Sequence, residues 1–294
     1  MRLAITYNEV SRALNDWAAR EFLSKNVKYN SSANEFIQYL NYYHKLVVST
    51  PRRVSFSTKF NVSPENEKGF EELKEKFEVG EDVNPYLSKL TRKADYVDDL
   101  FDTYGIKHFH LGEASSAKES DNIPRTDELA LAFITDTEVF FILSKKHSDE
   151  TWYSNESLDI LHNERPDLIK HFKVTDMMNI TPQISQMEDL KWCRKNNASI
   201  IVEVSDGTAY LASSLGSTLS GYSIMHCDVF SHLCITIVHH VNSRIIPSLN
   251  YIIHNISIRI IEYVPNKEIA IYLKAQIIGC NGLICEKIYE FTLS

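Results

Sequence analysis

The chain has 294 residues, 44% of them hydrophobic and 24% charged, which excludes disordered and fibrous classes and provides apolar mass for two compact units or one larger body. A formal net charge of −8 excludes a protein that coats nucleic acid over its whole surface, because phosphate binding needs clustered Lys and Arg, and leaves room for a local site. Five cysteines (Cys193, Cys227, Cys234, Cys280, Cys285) form an odd set without framework spacing. Reduced thiols and a cytoplasmic location are therefore expected.

The opening MRLAITYNEVSRALNDW enters an amphipathic pattern directly, so no leader is expected. No apolar run reaches the ~18 residues of a membrane helix, and no membrane partner is expected. Charge is uneven: residues 1–63 hold nine Lys/Arg against four Asp/Glu, whereas residues 64–103 hold six against twelve. The basic face is N-terminal.

Val10, Ala13, Leu14 and Trp17 recur at helical spacing, and Ser32 with Glu35 reads as a capping box for a second helix carrying Phe36, Leu40 and Tyr43. After the basic stretch PRRVSFSTKFNV, Ser63 is expected to cap a third helix with Phe70, Leu73 and Phe77 on one face and Gly80 as its stop. A fourth helix, DYVDDLFDTY, stops at Gly105. From there the period changes to two, and GIKHFHLG reads as a half-buried strand with Ile106, His108 and His110 on one side and Phe109 and Leu111 on the other. A polar loop then leads to ELALAFIT and EVFFILSKKH, joined only by Asp136 and Thr137 as a hairpin. A helix near 155–163 follows.

The last third reads as a helix near 183–195, a hairpin turning on Asp206-Gly207, a helix near 225–241, and three strands split by PNKE and GCNG. The expected fold class is α+β, with a helical N-terminal region over 1–100, a small antiparallel sheet core with flanking helices over 101–173, and a second C-terminal α+β module over 174–294.

Strand residues i and i+2 share a face, so His108 and His110 project together as a candidate acid and base pair. The meander is expected to bring Arg125, Lys145, Lys146 and His147 toward the same sheet, with Trp152 and Tyr153 just beyond, where a base could stack. Phosphodiester cleavage needs this inventory: a base for the 2′-hydroxyl, an acid for the 5′-oxygen, and cations for the charge that grows on phosphorus. Arg52 and Arg53, in the basic N-terminal stretch, are candidates for a phosphate grip.

The stretch from Arg125 to His147, an arginine before an apolar strand, a two-residue turn, a second apolar strand and a basic end, resembles the RelE/HigB-like ribonuclease toxins over residues 101–173. The resemblance implies a compact fold of helices and an antiparallel sheet, RNA as substrate, metal-independent cleavage without a cofactor, and a protein inhibitor or antitoxin as partner, in a toxin–antitoxin or phage-defence setting. It gives Arg125, Lys145, Lys146 and His147 roles at the scissile phosphate. The His108/His110 pair has no fixed counterpart in that pattern.

Two alternatives stand beside it. In one, the imidazoles are structural and the protein is a non-enzymatic interaction module. In the other, His-Phe-His resembles the HUH-type nucleases, which bind a metal through two imidazoles and attack single-stranded DNA with a helical tyrosine. The downstream Tyr-x-x-x-Lys spacing, Tyr263 to Lys267, is broken by Pro265. The set His226, Cys227, His232, Cys234, His239 and His240 does not make a zinc site on one helix: at 100° per residue its two Cys and two of its His fall on faces about 140–160° apart. Leu215 to Gly221 lacks a following Lys-Ser/Thr and reads as a plain loop.

Overall fold

The computed structural model describes residues 4–113, 122–178, 187–249, 252–265, 267–278 and 284–293. In chain order the elements are α1 (Tyr7–Ser24), α2 (Glu35–Lys45), β1 (Arg53–Phe56), α3 (Glu67–Val79), α4 (Asp99–Tyr104), β2 (Ile106–His110), β3 (Glu128–Ile134), β4 (Glu138–Lys146), α5 (Asp149–Tyr153), α6 (Glu156–Glu164) and α7 (Pro166–Ile169). They continue with β5 (Lys173–Met178), α8 (Met187–Lys195), β6 (Ile201–Glu203), β7 (Thr208–Leu211), α9 (Ile224–His240), α10 (Ile246–Ser248), β8 (Ile252–Val264), β9 (Glu268–Ile278) and β10 (Ile284–Leu293). The class is α+β. Most of the polar loop over 113–124, residues 183–186 of the expected helix near 183–195, Cys280 and the GCNG turn lie outside the described residues.

The chain forms two compact units. One takes residues 42–92 and 96–225, and the other takes 1–41, 93–95 and 226–294. This division interleaves segments that a linear reading places in separate regions, because α1 packs on β8 across more than two hundred residues of sequence.

In the first unit a four-stranded sheet has the order β1-β4-β3-β2. The strands β2, β3 and β4 form the expected antiparallel meander, turning at Asp136-Thr137, where the Thr135 amide donates to the Glu138 carbonyl at 2.8 Å. The strand β1 joins β4 in parallel, with Arg53 opposite Glu138. One sheet face carries Phe109, Leu111, Ala130, Ala132 and Phe141 against Phe70, Leu73 and Phe77 of α3. The other carries Ile106, Leu129, Leu131 and Ile142 against Leu158 and Leu161 of α6 and residues of the small β5-β7-β6 sheet. With both faces covered, every residue of β2 is buried, so the expectation of a half-buried strand is corrected.

Local signals account for most helix ends. Gly80 and Gly105 end α3 and α4 with φ of +79° and +71°, the left-handed conformation that glycine adopts at no steric cost. The cap of α2 differs from expectation: Asn34 Oδ1 accepts from the Ile37 amide at 2.8 Å, a better-placed cap than Ser32 because it directly precedes Glu35. Ser63 likewise does not cap α3. It donates to the Glu128 carboxylate instead, and α3 begins at Glu67.

In the second unit Trp17 of α1 packs edge-on against Tyr39 at 4.7 Å and Tyr263 at 5.9 Å. Its indole donates to the Ile261 carbonyl of β8 at 3.2 Å. The sheet there has the order β10-β9-β8, all antiparallel. The helix α9 continues through a π-helical turn at Val241–Ile245 into α10. The resulting 25 residues, Ile224–Ser248, are long and apolar enough to cross a membrane by length and composition, which a search for uninterrupted apolar runs misses. Its buried residues, His226, Phe230, Cys234, Ile237 and Val241, recur every three or four positions and form one face.

Candidate active site

The strand β2 places His108 opposite Leu131 and His110 opposite Leu129, while Lys145 pairs with Leu129 from the other side of β3. Period two then puts both imidazoles and the end of β4 on one face. The His147 amide donates to the Asp127 carbonyl at 2.6 Å, which carries the pairing one step past β4 and holds His147 beside the segment entering β3. Trp152, at the first helical turn after that strand, lies between the two: its ring meets His108 edge-on at 4.7 Å and His147 edge-on at 5.1 Å. The charge of Arg125 is felt at both His108 and His110. The structure therefore gathers His108, His110, Arg125, His147 and Trp152.

Their exposure divides them. Arg125 and His147 are exposed, Trp152 is half-buried, and His108 and His110 are only 4% and 2% exposed. Burial, with Arg125 adding to it, pushes His110 down to about 4. Burial also lowers His108, partly offset by the Asp98 carboxylate. Both rings are neutral near pH 7, so the candidate acid and base pair of the sequence consists of two buried imidazoles, with the exposed His147 nearby.

Each buried ring has a distinct environment. Nδ1 of His110 sits 3.3 Å from the Thr126 carbonyl, and its Nε2 is walled in without a partner. Nδ1 of His108 lies 3.5 Å from Asp98 Oδ2 and makes no formal hydrogen bond. Asp98 is the N-cap of α4, accepting from the Phe101 amide at 3.2 Å, and is itself buried. Around it stand Lys45, Lys107 and Asp102. The Lys107 ammonium is spent on the Lys45 carbonyl at 2.9 Å and on that of His44, and burial takes it down to about 7. Asp102 is pushed up to about 7 by burial and by Asp98.

The remaining sequence candidates are dispersed or occupied. Lys145 is ion-paired with Glu156 at 2.5 Å. Lys146 is exposed at the rim of a recess of about 340 Å³ lined also by Ser63, Asn66, Thr126, Asp127 and Glu128. Tyr153 stacks under the Arg194 guanidinium at 4.9 Å and the Lys191 ammonium at 5.2 Å, which leaves it a packing role rather than an open stacking face. Arg52 is no phosphate grip: it is 8% exposed and donates to the carbonyls of Thr135 at 2.8 Å, Val48 at 2.7 Å and Thr50 at 3.2 Å. Arg53 is paired at 2.9 Å with Glu138, which Arg165 also holds through two hydrogen bonds.

Among the described residues no three His, Cys, Asp or Glu side chains gather in a way that could hold a metal ion. On α9, Cys234 is buried while His232 and His239 are exposed, as expected of different faces. Tyr263 lies on β8, in a cluster of aromatic rings, and not on a helix.

Sequence reasoning missed Asp98, Lys107 and Thr126. Asp98 had a readable signal as the residue before a short amphipathic helix, which marks a cap; its nearness to His108 depends on how α4 folds back onto β2. Comparisons with protein-family models, with curated proteins and with solved structures return no match.

Proposed function

We propose that the protein is a metal-independent endoribonuclease of toxin type. The observation that carries the reading is the meeting of buried His108 with exposed His147 across the Trp152 ring, with His110 on the same strand face and the Arg125 charge acting on both buried rings. In this reading a buried imidazole takes the proton of the 2′-hydroxyl as that oxygen attacks phosphorus. The Arg125 guanidinium holds the charge that develops on the phosphoryl oxygens, and protonated His147 gives its proton to the departing 5′-oxygen. The products are a 2′,3′-cyclic phosphate and a free 5′-hydroxyl. Trp152 offers an aromatic edge and face to a nucleobase. The likeness of residues 125–147 to RelE/HigB-like toxins supports the same assignment, as does an environment that pushes titratable groups apart at one place.

Purified protein incubated with single-stranded RNA in excess EDTA tests the proposal. Cleavage with cyclic phosphate ends and no cutting of single-stranded DNA is expected. Metal-dependent nicking of DNA through a tyrosine adduct would instead promote the HUH-type reading. Burial of His108 and His110 favours a second reading, an interaction module in which both rings are structural. Absence of cleavage on a panel of RNAs, with the fold intact, selects it.

A further inference from the structure

The two buried imidazoles are anchored differently, and this asymmetry distinguishes their roles. Resting on the ribonuclease reading above, we propose that Asp98 is a positioning residue that holds His108 in the Nδ1–H tautomer and so makes His108, rather than His110, the base that receives the 2′-hydroxyl proton.

An imidazole that offers its Nδ1 proton to one side presents the Nε2 lone pair on the other, and whatever binds the Nδ1 proton sets both tautomer and basicity. For His110 the partner is a main-chain carbonyl, that of Thr126 at 3.3 Å, which fixes the tautomer without supplying charge. For His108 the group facing Nδ1 is the Asp98 carboxylate at 3.5 Å, and a carboxylate also stabilises the imidazolium that forms once the proton is taken. Nε2 of His110, by contrast, is walled in without a partner. Beyond the His108 ring lie Trp152 at 4.7 Å and, across it, His147.

The carboxylate is suited to this part. Asp98 is 6% exposed and is held in place by capping α4, so its position relative to β2 is set by the fold and not by a mobile loop. The charged groups that face the pair are Lys45 from α2, Lys107 from β2, Asp102 from α4, Arg125 from the segment before β3 and His147 from the segment after β4. Lys107 lies within reach of the Asp98 charge, which opposes the lowering of its ammonium by burial.

The direct test is ¹⁵N imidazole NMR of the full chain, which reads tautomer and titration of His108 without any substrate. The expected spectrum has His108 as the Nδ1–H tautomer near pH 7, and an Nε2–H tautomer overturns the proposal outright. Asp98→Asn provides the second arm, because asparagine is as good a cap for α4 as aspartate while carrying no charge. In D98N the His108 pKa is expected to fall by at least one unit and kcat to drop at least a hundredfold, with thermal stability close to the parent. An unchanged His108 titration and an unchanged rate profile refute the role. Should D98N fold poorly, Asp98→Ser keeps a capping oxygen and reads the same tautomer. A parent protein that shows the Nδ1–H tautomer but cleaves no RNA removes the ribonuclease reading, and with it the role of His108 as base, while leaving the anchoring by Asp98 established.

Discussion

Nδ1 of His110 lies 3.3 Å from the Thr126 carbonyl oxygen, and Thr126 in turn accepts the Leu111 amide through its hydroxyl at 2.9 Å. One residue therefore clamps the end of β2 and sets which nitrogen of His110 carries the proton. Because an acceptor carbonyl needs a donor, Nδ1 carries the proton, and burial keeps the ring neutral against the opposing pull of that carbonyl. A stability effect with a definite pH window follows.

His110 is held at about 4 in the folded protein against 6.5 in a flexible chain. Between those values the unfolded state binds the extra proton, so stability is fully present above pH 6.5 and falls as pH drops toward 4, by about 3 kcal/mol in the limit of one isolated group. His108, also lowered by burial, acts in the same direction. Urea unfolding between pH 4 and 7 is expected to show this slope, and His110→Asn is expected to flatten it. An identical slope in the variant rejects the assignment.

Exposed and buried members of the site should separate in mutagenesis. Arg125→Ala and His147→Ala are expected to lower RNA cleavage roughly 10²- to 10³-fold with a thermal midpoint close to the parent, since both side chains are exposed. His108→Ala and His110→Ala are expected to cost about 1–3 kcal/mol of stability in addition to activity, because each opens a hole in a buried face. Equal thermal losses for all four variants would contradict the division.

Arg52 should behave as a structural residue. Its replacement by alanine leaves the carbonyls of Thr135, Val48 and Thr50 without their donor, at a cost of about 2 kcal/mol or more, and leaves the salt dependence of RNA binding unchanged. A reduced salt slope with normal stability would return Arg52 to the phosphate-binding surface.

Gly69 offers a sharper test of how α3 meets the sheet. A Cβ at this position would stand 1.9 Å from the Leu111 carbonyl oxygen, so Gly69→Ala must displace the helix from the end of β2. The expected loss is about 2–3 kcal/mol, measurable by denaturant midpoint. A neutral substitution would mean that α3 shifts freely at that contact.

The meander and its turn were legible in the sequence because period two, a two-residue Asp-Thr link and the two glycine helix stops are all local. The grouping of His108, His110, Arg125 and His147 followed from the same periodicity. Burial was not legible: β2 alternates as a half-exposed strand does, and it is covered by α3 on one face and by α4, α6, Trp152 and the small sheet on the other. The roles of Arg52 and Lys107 were hidden for a related reason. A cation that binds main-chain carbonyls from distant segments carries no local mark, and such a residue reads as surface charge until the chain is folded around it.

The parallel pairing of β1 with β4 bears on how the unit assembles. Arg53 and Glu138 are partners separated by 85 positions, so the outer edge of β4 stays open until a segment made much earlier returns to it. Closing that distance is slow compared with forming the hairpin, and an apolar strand waiting with an unpaired side is a template for other chains. Ser55→Pro, which breaks that pairing while leaving α1 and α2 in place, is thus expected to give soluble aggregates or inclusion bodies instead of monomers on size-exclusion chromatography.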